Sequence, residues 1–320
     1  MSLASWQLEP WQRLRAARDA GRLAHGLLFC GPAELGQREL ADRLAALLLC
    51  EAPADGGACG RCRACRLRLA GTHADLNVVT LIERDDGKLK SEIGVDQIRA
   101  LSAWFALTPQ LGRAQVAILD PADVLNTSAA NALLKTLEEP LPGRYLLLVC
   151  ARIERLPATI RSRCQRIELR VPAAPQALAW LVAQGVADHD AHEALAAADG
   201  HPGVALRYLR DGSLGLRRTV LAELDALAQG RASASQLAAQ WMADQPEARL
   251  RFAAEAVRDL GRARAAAAPP ASLGLKVQGD FHKLARWYER ANQARDWLAV
   301  PLRHELLLTE LLQAWRQAAT

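Results

Sequence analysis

Two groups of residues in this chain have the types and spacing of chemistry. The first is Gly31-Pro32-Ala33-Glu34-Leu35-Gly36-Gln37-Arg38, directly after the apolar run Leu27-Leu28-Phe29-Cys30. A hydrolytic phosphate-binding loop reads Gly, four residues, Gly, Lys, then Ser or Thr: the lysine neutralises the β- and γ-phosphates and the hydroxyl holds Mg²⁺. Here Gly31 and Gly36 still permit the strand-to-helix turn, but Gln37 has no charge and Arg38 offers a metal no hydroxyl. Glu34 adds a charge that repels phosphate. The loop therefore has the outline of a nucleotide site without its chemistry, and no functional cofactor binding is expected at Gly31, Gly36, Gln37 and Arg38. A second position points the same way. Val116-Ala117-Ile118-Leu119-Asp120 has the form of a strand ending in a magnesium-holding aspartate, yet the next residue, where a glutamate would activate water, is Pro121. Asp120 reads equally well as a strand-end helix cap.

The second group is Cys50, Cys59, Cys62 and Cys65, with eight, two and two residues between them. Two-residue spacing lets neighbouring thiolates converge on one ion, and the loop containing Pro53, Gly56 and Gly57 can return Cys50 as a fourth ligand. Tetrahedral Zn²⁺ fits, with all four positions filled and none left for a catalytic water, so the site is read as structural. Four thiolates leave a net charge of about −2, and Arg61, Arg63 and Arg66 are interleaved to offset it. Free thiols, a disulfide pair and an iron–sulfur centre are the alternatives, the last without its usual Cys-Pro. Cys30 and Cys150 read as small buried hydrophobes.

The elements that must position these residues alternate up to about residue 170. Leu27 to Cys30, Leu76 to Leu81, Val116 to Asp120, Tyr145 to Cys150 and Arg166 to Leu169 have strand length, and Gln37 to Leu49, Val95 to Leu107 and Thr127 to Leu137 are amphipathic. That pattern predicts an α/β domain with a parallel sheet covered by helices on both faces and ligands at the carboxyl ends of the strands. After the linker Pro172-Ala173-Ala174-Pro175 the periodicity is helical: Gln176 to Gln184, Asp190 to Ala198 and Val204 to Leu209. Beyond Asp211-Gly212-Ser213 come Leu216 to Ala228, Ser233 to Met242, Pro246 to Ala267, Asp280 to Ala299 and Pro301 to Ala318, with a break at Ala266-Ala267-Ala268-Pro269-Pro270. The expected domains are 1–170, 171–211 and 212–320.

Bulk properties narrow the class. At 320 residues the chain is long enough for two or three cores, and 5% aromatic residues with abundant Ala and Leu favour helix. A formal charge of +5 permits a DNA-facing surface but lacks the dense basic blocks of a free-standing nucleic-acid binder. No apolar stretch is long enough to span a bilayer and no leader pattern opens the chain, so a cytoplasmic location is expected, where seven cysteines do not form a disulfide framework.

Leu23-Ala24-His25-Gly26-Leu27-Leu28, the cysteine cluster, Asn131-Ala132-Leu133-Leu134-Lys135 with Leu137-Glu138-Glu139-Pro140, and Ser162-Arg163-Cys164 together resemble bacterial clamp-loader subunits of the AAA+ class. The missing loop lysine narrows the resemblance to the delta-prime branch of that family. It covers the first 210 or so residues well and thereafter rests on length and helical character. It implies an AAA+ domain, a small helical lid domain and a helical collar domain that joins a five-membered ring with delta and tau/gamma subunits; the ring opens a sliding clamp and loads it on primed DNA. It further implies that Arg163 acts as an arginine finger in the neighbouring subunit's ATP site, with no catalytic residue in cis. The chain would then be enzymatic only as part of the DNA-directed DNA polymerase holoenzyme. From the residues alone Arg163 reads as a solvated loop arginine, flanked by Arg161 and Arg166. Arg207 matches the family's sensor-2 position, whereas Cys150-Ala151-Arg152 departs from the polar residue usual at sensor 1. Two other readings stay open: a slow or nucleotide-sensing ATPase with Arg38 replacing the lysine, and a solitary zinc-containing DNA-binding protein.

Overall fold

The central apolar runs become strands because a parallel sheet covered on both faces offers them no solvent side, so they need apolar residues at successive positions. In the computed structural model, residues 3–54, 56–84, 87–111, 114–265, 275, 277, 279–298 and 304–319 are described. The order is α1 (Ser5–Asp19), β1 (Gly26–Cys30), α2 (Gln37–Leu49), α3 (Arg63–Leu69), β2 (Leu76–Val79), α4 (Val95–Phe105) and β3 (Gln115–Leu119). Then come α5 (Thr127–Glu138), β4 (Arg144–Cys150), α6 (Ala158–Arg161), β5 (Gln165–Glu168), α7 (Ala174–Ala183), α8 (Asp188–Ala197) and α9 (Pro202–Arg210). The chain ends in α10 (Ser213–Ala228), α11 (Ala234–Ala243), α12 (Pro246–Ala265), α13 (Phe281–Trp297) and α14 (His304–Ala319). By compactness it divides into Met1–Trp180 with Gly200–Gly203, and Leu181–Asp199 with Val204–Thr320.

In the first unit all five strands are parallel, in the order β2-β3-β4-β1-β5. Register pairs Gly26 with Leu146 and Cys30 with Cys150. Alternate side chains go to opposite faces. Leu27, Phe29, Val116, Ile118, Leu147 and Val149 pack with Trp11 and Leu14 of α1 and with Leu40, Leu44 and Leu47 of α2. Leu28, Cys30, Ala117, Leu119, Leu146 and Leu148 pack on the other face with Ile98 and Leu101 of α4 and Leu133 and Leu137 of α5. α5 starts where the Asn126 carbonyl oxygen accepts from the Ala129 N–H at 2.9 Å, a side-chain cap. β2 stops at Val79, short of Leu81, and β3 at Leu119, so Asp120 lies just past the strand end. Neither α1 nor α3 was anticipated from periodicity.

The second unit is helical and built around three tryptophans. Trp287 and Trp315 meet edge to face with ring centroids 5.0 Å apart, and both are buried along with Trp241. Each indole N–H has an acceptor: Leu311 O at 2.8 Å for Trp287, Leu224 O at 2.9 Å for Trp315 and Glu223 Oε2 at 2.8 Å for Trp241. Buried Arg249 answers Glu223 at 3.0 Å and Asp244 at 2.6 Å, so its charge is paired. Asp280 caps α13 through the Lys283 N–H. The expected break at Ala266–Pro270 and the helix ends expected at Ala267, Ala299 and Pro301 lie outside the described residues. Among the described residues no helix is long and apolar enough to cross a membrane.

Candidate functional site

The phosphate-loop segment sits at the carboxyl end of β1, which lies between β4 and β5, where connections leave the sheet toward opposite sides. Its side chains are turned onto the loop itself. Gln37, buried at the first position of α2, donates through Nε2 to Gly31 O at 2.8 Å and Pro32 O at 2.5 Å. Arg38 donates from Nε to Asp42 Oδ2 at 2.9 Å and from Nη1 to Asp120 Oδ2 at 3.0 Å. Burial pushes the Arg38 pKa down, but the bonds to Asp120 and Asp42 outweigh this and hold it above its ordinary value. A side-chain cation thus sits against the aspartate that in a hydrolytic site would face the metal.

α1 completes the loop's satisfaction. Trp6 Nε1 donates to Leu35 O at 2.9 Å, and Gln7 Nε2 donates to Gly36 O at 3.0 Å. Gly36 has φ +88°, a left-handed conformation that favours glycine, and Gln7 Nε2 occupies the place a Cβ would take. Beside the loop, Cys30, Gly31, Pro32, Ala151, Ile153, Arg166 and Glu168 line a cavity of about 360 Å³. Burial raises the Cys30 thiol pKa and lifts that of Cys150 to about 12, so both stay protonated fillers of the sheet.

The four cysteines come together. The Sγ atoms of Cys50, Cys59, Cys62 and Cys65 all lie within 4.8 Å of one another, with Cys50 and Cys62 4.0 Å apart. A tetrahedral shell with Zn–S near 2.3 Å separates its sulfurs by about 3.8 Å, so the cluster already has the size of such a shell. Main-chain amides point at three of the sulfurs: Cys59 N–H to Cys50 Sγ at 3.2 Å, and Cys62 N–H to Cys59 Sγ and Cys65 N–H to Cys62 Sγ, both at 3.4 Å. Burial pushes Cys62 up, but amide donors from Cys65 and Glu51 bring its pKa down to about 6, whereas burial lifts Cys65 to about 12. A divalent cation supplies the field that ionises all four together. The donor set, its spacing and the capping of α3 by Cys62 suit a structural zinc site.

Three separated segments meet around Arg163. His25 Nε2 lies 2.9 Å from Leu137 O at the end of α5, a contact that needs the Nε2–H tautomer. Gly26 packs close to this point: a Cβ there would come within 2.9 Å of Leu137 Cδ2 and into contact with Arg163 O and Cys164 Sγ at 3.5 Å. Buried Ile160 and Cys164 anchor the turn on either side of Arg163. The guanidinium projects at the surface, Nη2 to Glu138 Oε1 at 2.6 Å and Nη1 to Thr159 O at 3.0 Å and Ser162 Oγ at 3.4 Å. Arg166 is exposed on β5, and Arg161 is half-buried with its Nε inside.

The remaining sensor-like residues are committed elsewhere. Arg152 donates from Nε to Asp123 Oδ2 at 2.8 Å, and Arg207 lies over the Tyr208 ring at 5.1 Å and 3.7 Å from Asp211. What residue reading missed is the set of partners: Gln7 and Trp6 for the loop, Glu138 for Arg163. Glu138 was visible only as part of Leu137-Glu138-Glu139-Pro140, without a role.

Comparison with known proteins agrees with this architecture. The family described as "DNA polymerase III, delta subunit" matches residues 6–173. The DNA polymerase III subunit delta' of Pseudomonas aeruginosa is 40% identical over 237 residues, 72% of this chain and 70% of that protein. The delta' subunit of Escherichia coli is 36% identical over 216 residues, 67% of this chain and 63% of that protein. Among solved structures, a DNA polymerase III gamma subunit-related protein from Thermotoga maritima shares the fold with a TM-score of 0.52 at 17% identity, covering 97% of this chain and 100% of that one. The chain belongs to the family of DNA polymerase III delta-prime clamp-loader subunits.

Proposed function

We propose that this chain is the non-hydrolysing delta-prime subunit of a DNA polymerase III clamp loader. It helps a ring with delta and tau/gamma subunits load the sliding clamp onto primed DNA, and it lends Arg163 to a neighbour's ATP site. The observation that carries the reading is the Arg38–Asp120 contact at 3.0 Å. With a tethered cation on Asp120 and Gln37 folded onto the Gly31 and Pro32 carbonyls, the chain's own loop offers phosphate neither a lysine nor a metal position. Arg163 is 37% exposed, and its permanently charged planar head suits the spreading charge of a transferring phosphoryl group.

In this reading Cys50, Cys59, Cys62 and Cys65 hold one Zn²⁺ that staples the loop between α2 and α3, and no ATP binds the chain's own site. The chain is organised as an ATPase-like domain (1–170), a lid (171–211) and a collar (212–320) that carries the ring contacts. The test is steady-state ATP turnover by the reconstituted ring with clamp and primed DNA. Removing an arginine finger supplied in trans costs roughly 10³ to 10⁵ at the affected site. Arg163→Ala is therefore expected to silence one site and depress total turnover while the isolated chain hydrolyses nothing. Undiminished turnover by the mutant ring sinks the finger, and hydrolysis by the isolated chain sinks the non-hydrolysing assignment.

A further inference from the structure

The convergence of His25-Gly26, Leu137-Glu138 and Thr159–Cys164 around one surface arginine calls for an explanation that the finger role alone does not provide. We propose that Glu138 is the positioning residue of Arg163: its carboxylate and the Thr159 carbonyl hold opposite terminal nitrogens of the guanidinium, fixing the direction in which it is presented to a neighbouring subunit. This inference rests on Arg163 being the finger.

An arginine on a surface loop samples many rotamers, and a group that must meet a reacting phosphoryl loses rate when it is misplaced by even an ångström. Arg163 has both terminal nitrogens occupied, Nη2 by Glu138 at 2.6 Å and Nη1 by Thr159 O at 3.0 Å. The two anchors come from different elements, α5 and α6, which pack on one another. His25 holds the Leu137 carbonyl next to Glu138, and Gly26 lies between the Leu137 side chain and the Arg163 carbonyl, so the start of β1 supports both segments.

The exposure of the pair sets how tightly it holds. Arg163 is 37% and Glu138 49% exposed, and ion pairs in that setting are weak because water screens both charges. A polyphosphate, with several negative charges, outcompetes a single half-solvated carboxylate for Nη2. The neutral Thr159 carbonyl has no charge to lose in that exchange and keeps Nη1. Glu138 thus aims the guanidinium before the subunits engage and yields it on contact.

The experiment is ATP turnover by the reconstituted ring for wild type, Glu138→Ala, Glu138→Gln, Arg163→Ala and the Glu138→Ala/Arg163→Ala double variant, with melting and ring assembly measured on each. Glu138→Ala is expected to lower kcat by up to about fivefold, the most that an ion pair of this exposure supplies, with KM for ATP unchanged, since the finger acts on the transition state. Glu138→Gln keeps an oxygen for Nη2 and is expected to restore most of the rate. In the Arg163→Ala background, Glu138→Ala is expected to add nothing. A Glu138→Ala ring as fast as wild type or faster overturns the proposal, and so does a loss that persists without Arg163. If Glu138→Ala fails to fold, Glu138→Ser, whose short side chain also cannot reach Nη2, carries the same cycle with Arg163→Ala, and additive losses there overturn the proposal. An Arg163→Ala ring with normal turnover removes the finger itself, an outcome distinct from failure of Glu138 alone.

Discussion

Arg38 Nη1 lies 3.0 Å from Asp120 Oδ2, across 82 positions of sequence, so the loop after β1 and the end of β3 are joined by an ion pair instead of by a ligand. With the two side chains 36% and 25% exposed, the pair is worth about 0–1 kcal/mol. Arg38→Ala should therefore cost little stability and should not confer nucleotide binding, because the loop still lacks the lysine that would meet phosphate and the hydroxyl that would hold Mg²⁺. Gln37→Lys with Arg38→Thr returns both missing functions at once. Titration with a fluorescent ATP analogue and Mg²⁺ should show binding by the double variant and none by wild type or Arg38→Ala; tight binding by wild type refutes the self-occupied loop.

The cysteine cluster predicts one zinc per chain by elemental analysis. Cys62→Ser or a strong chelator should release it and unravel α3 and the loop that precedes it. The loss is expected to be a few kcal/mol, below the roughly 10–16 kcal/mol associated with small domains that fold only with their ion. For a unit of this size that is a melting decrease of about 5–10 °C. Metal-free purified protein that melts unchanged after Cys62→Ser would contradict the zinc site.

Trp315 in α14 reaches Leu224 O in α10, a buried hydrogen bond between elements 91 positions apart. Trp315→Phe keeps an aromatic ring beside Trp287 but removes the indole N–H and leaves unfilled volume, while the Leu224 carbonyl keeps its partner within the helix. The expected cost is about 1–3 kcal/mol, combining one lost buried hydrogen bond with a small cavity. Urea unfolding followed by circular dichroism measures it, and a change below about 0.5 kcal/mol would mean that neither the bond nor the ring volume contributes to stability.

Glu255 in α12 gives a pH dependence of defined sign. Its side chain is 21% exposed and 4.0 Å from Arg251, and its Oε2 is buried without a hydrogen bond. Burial raises its pKa above the ordinary 4.5, with Arg251 opposing. The folded state then binds the proton more tightly than the unfolded chain, so stability declines as pH rises from about 4.5 through the folded value. Glu255→Gln should raise the melting temperature at pH 7, by up to about 1 kcal/mol in stability, and the gain should vanish as pH falls below 4.5. An equal gain at both ends of the range would assign the effect to packing.

The parts of the fold legible in the sequence are those whose cause is local. α2 spans Gln37–Leu49 as expected because Gly36 ends the turn before it and the apolar stripe lies on one face. β1, β3 and β4 were legible as apolar runs because both faces of the sheet centre are covered, whereas the edge strands β2 and β5 are partly exposed. α1 was not legible, since its buried face of Gln7, Trp11 and Leu14 has helical spacing but holds only two apolar residues, and Pro10 interrupts the pattern; Gln7 serves loop carbonyls far along the chain. α3 was hidden inside the cysteine spacing that drew attention to ligands. The cluster itself needed only that spacing. The Arg38–Asp120 and Arg163–Glu138 pairs were not legible, because each depends on which strand lies beside which and on where a helix stops. Arg163 itself was reached through the family's Ser-Arg-Cys pattern, since nothing in its local composition distinguishes it from Arg161 or Arg166.

The tryptophans divide between the two units in a way that makes the chain its own fluorophore. Trp6, Trp11, Trp104 and Trp180 belong to the first unit, and Trp241, Trp287, Trp297 and Trp315 to the second. Trp6 and Trp180 form an edge-to-face pair 5.4 Å apart, and Trp287 and Trp315 one 5.0 Å apart, so each unit contains an indole pair of its own. Intrinsic emission is consequently a composite of two signals, and replacing one indole of either pair by phenylalanine separates them.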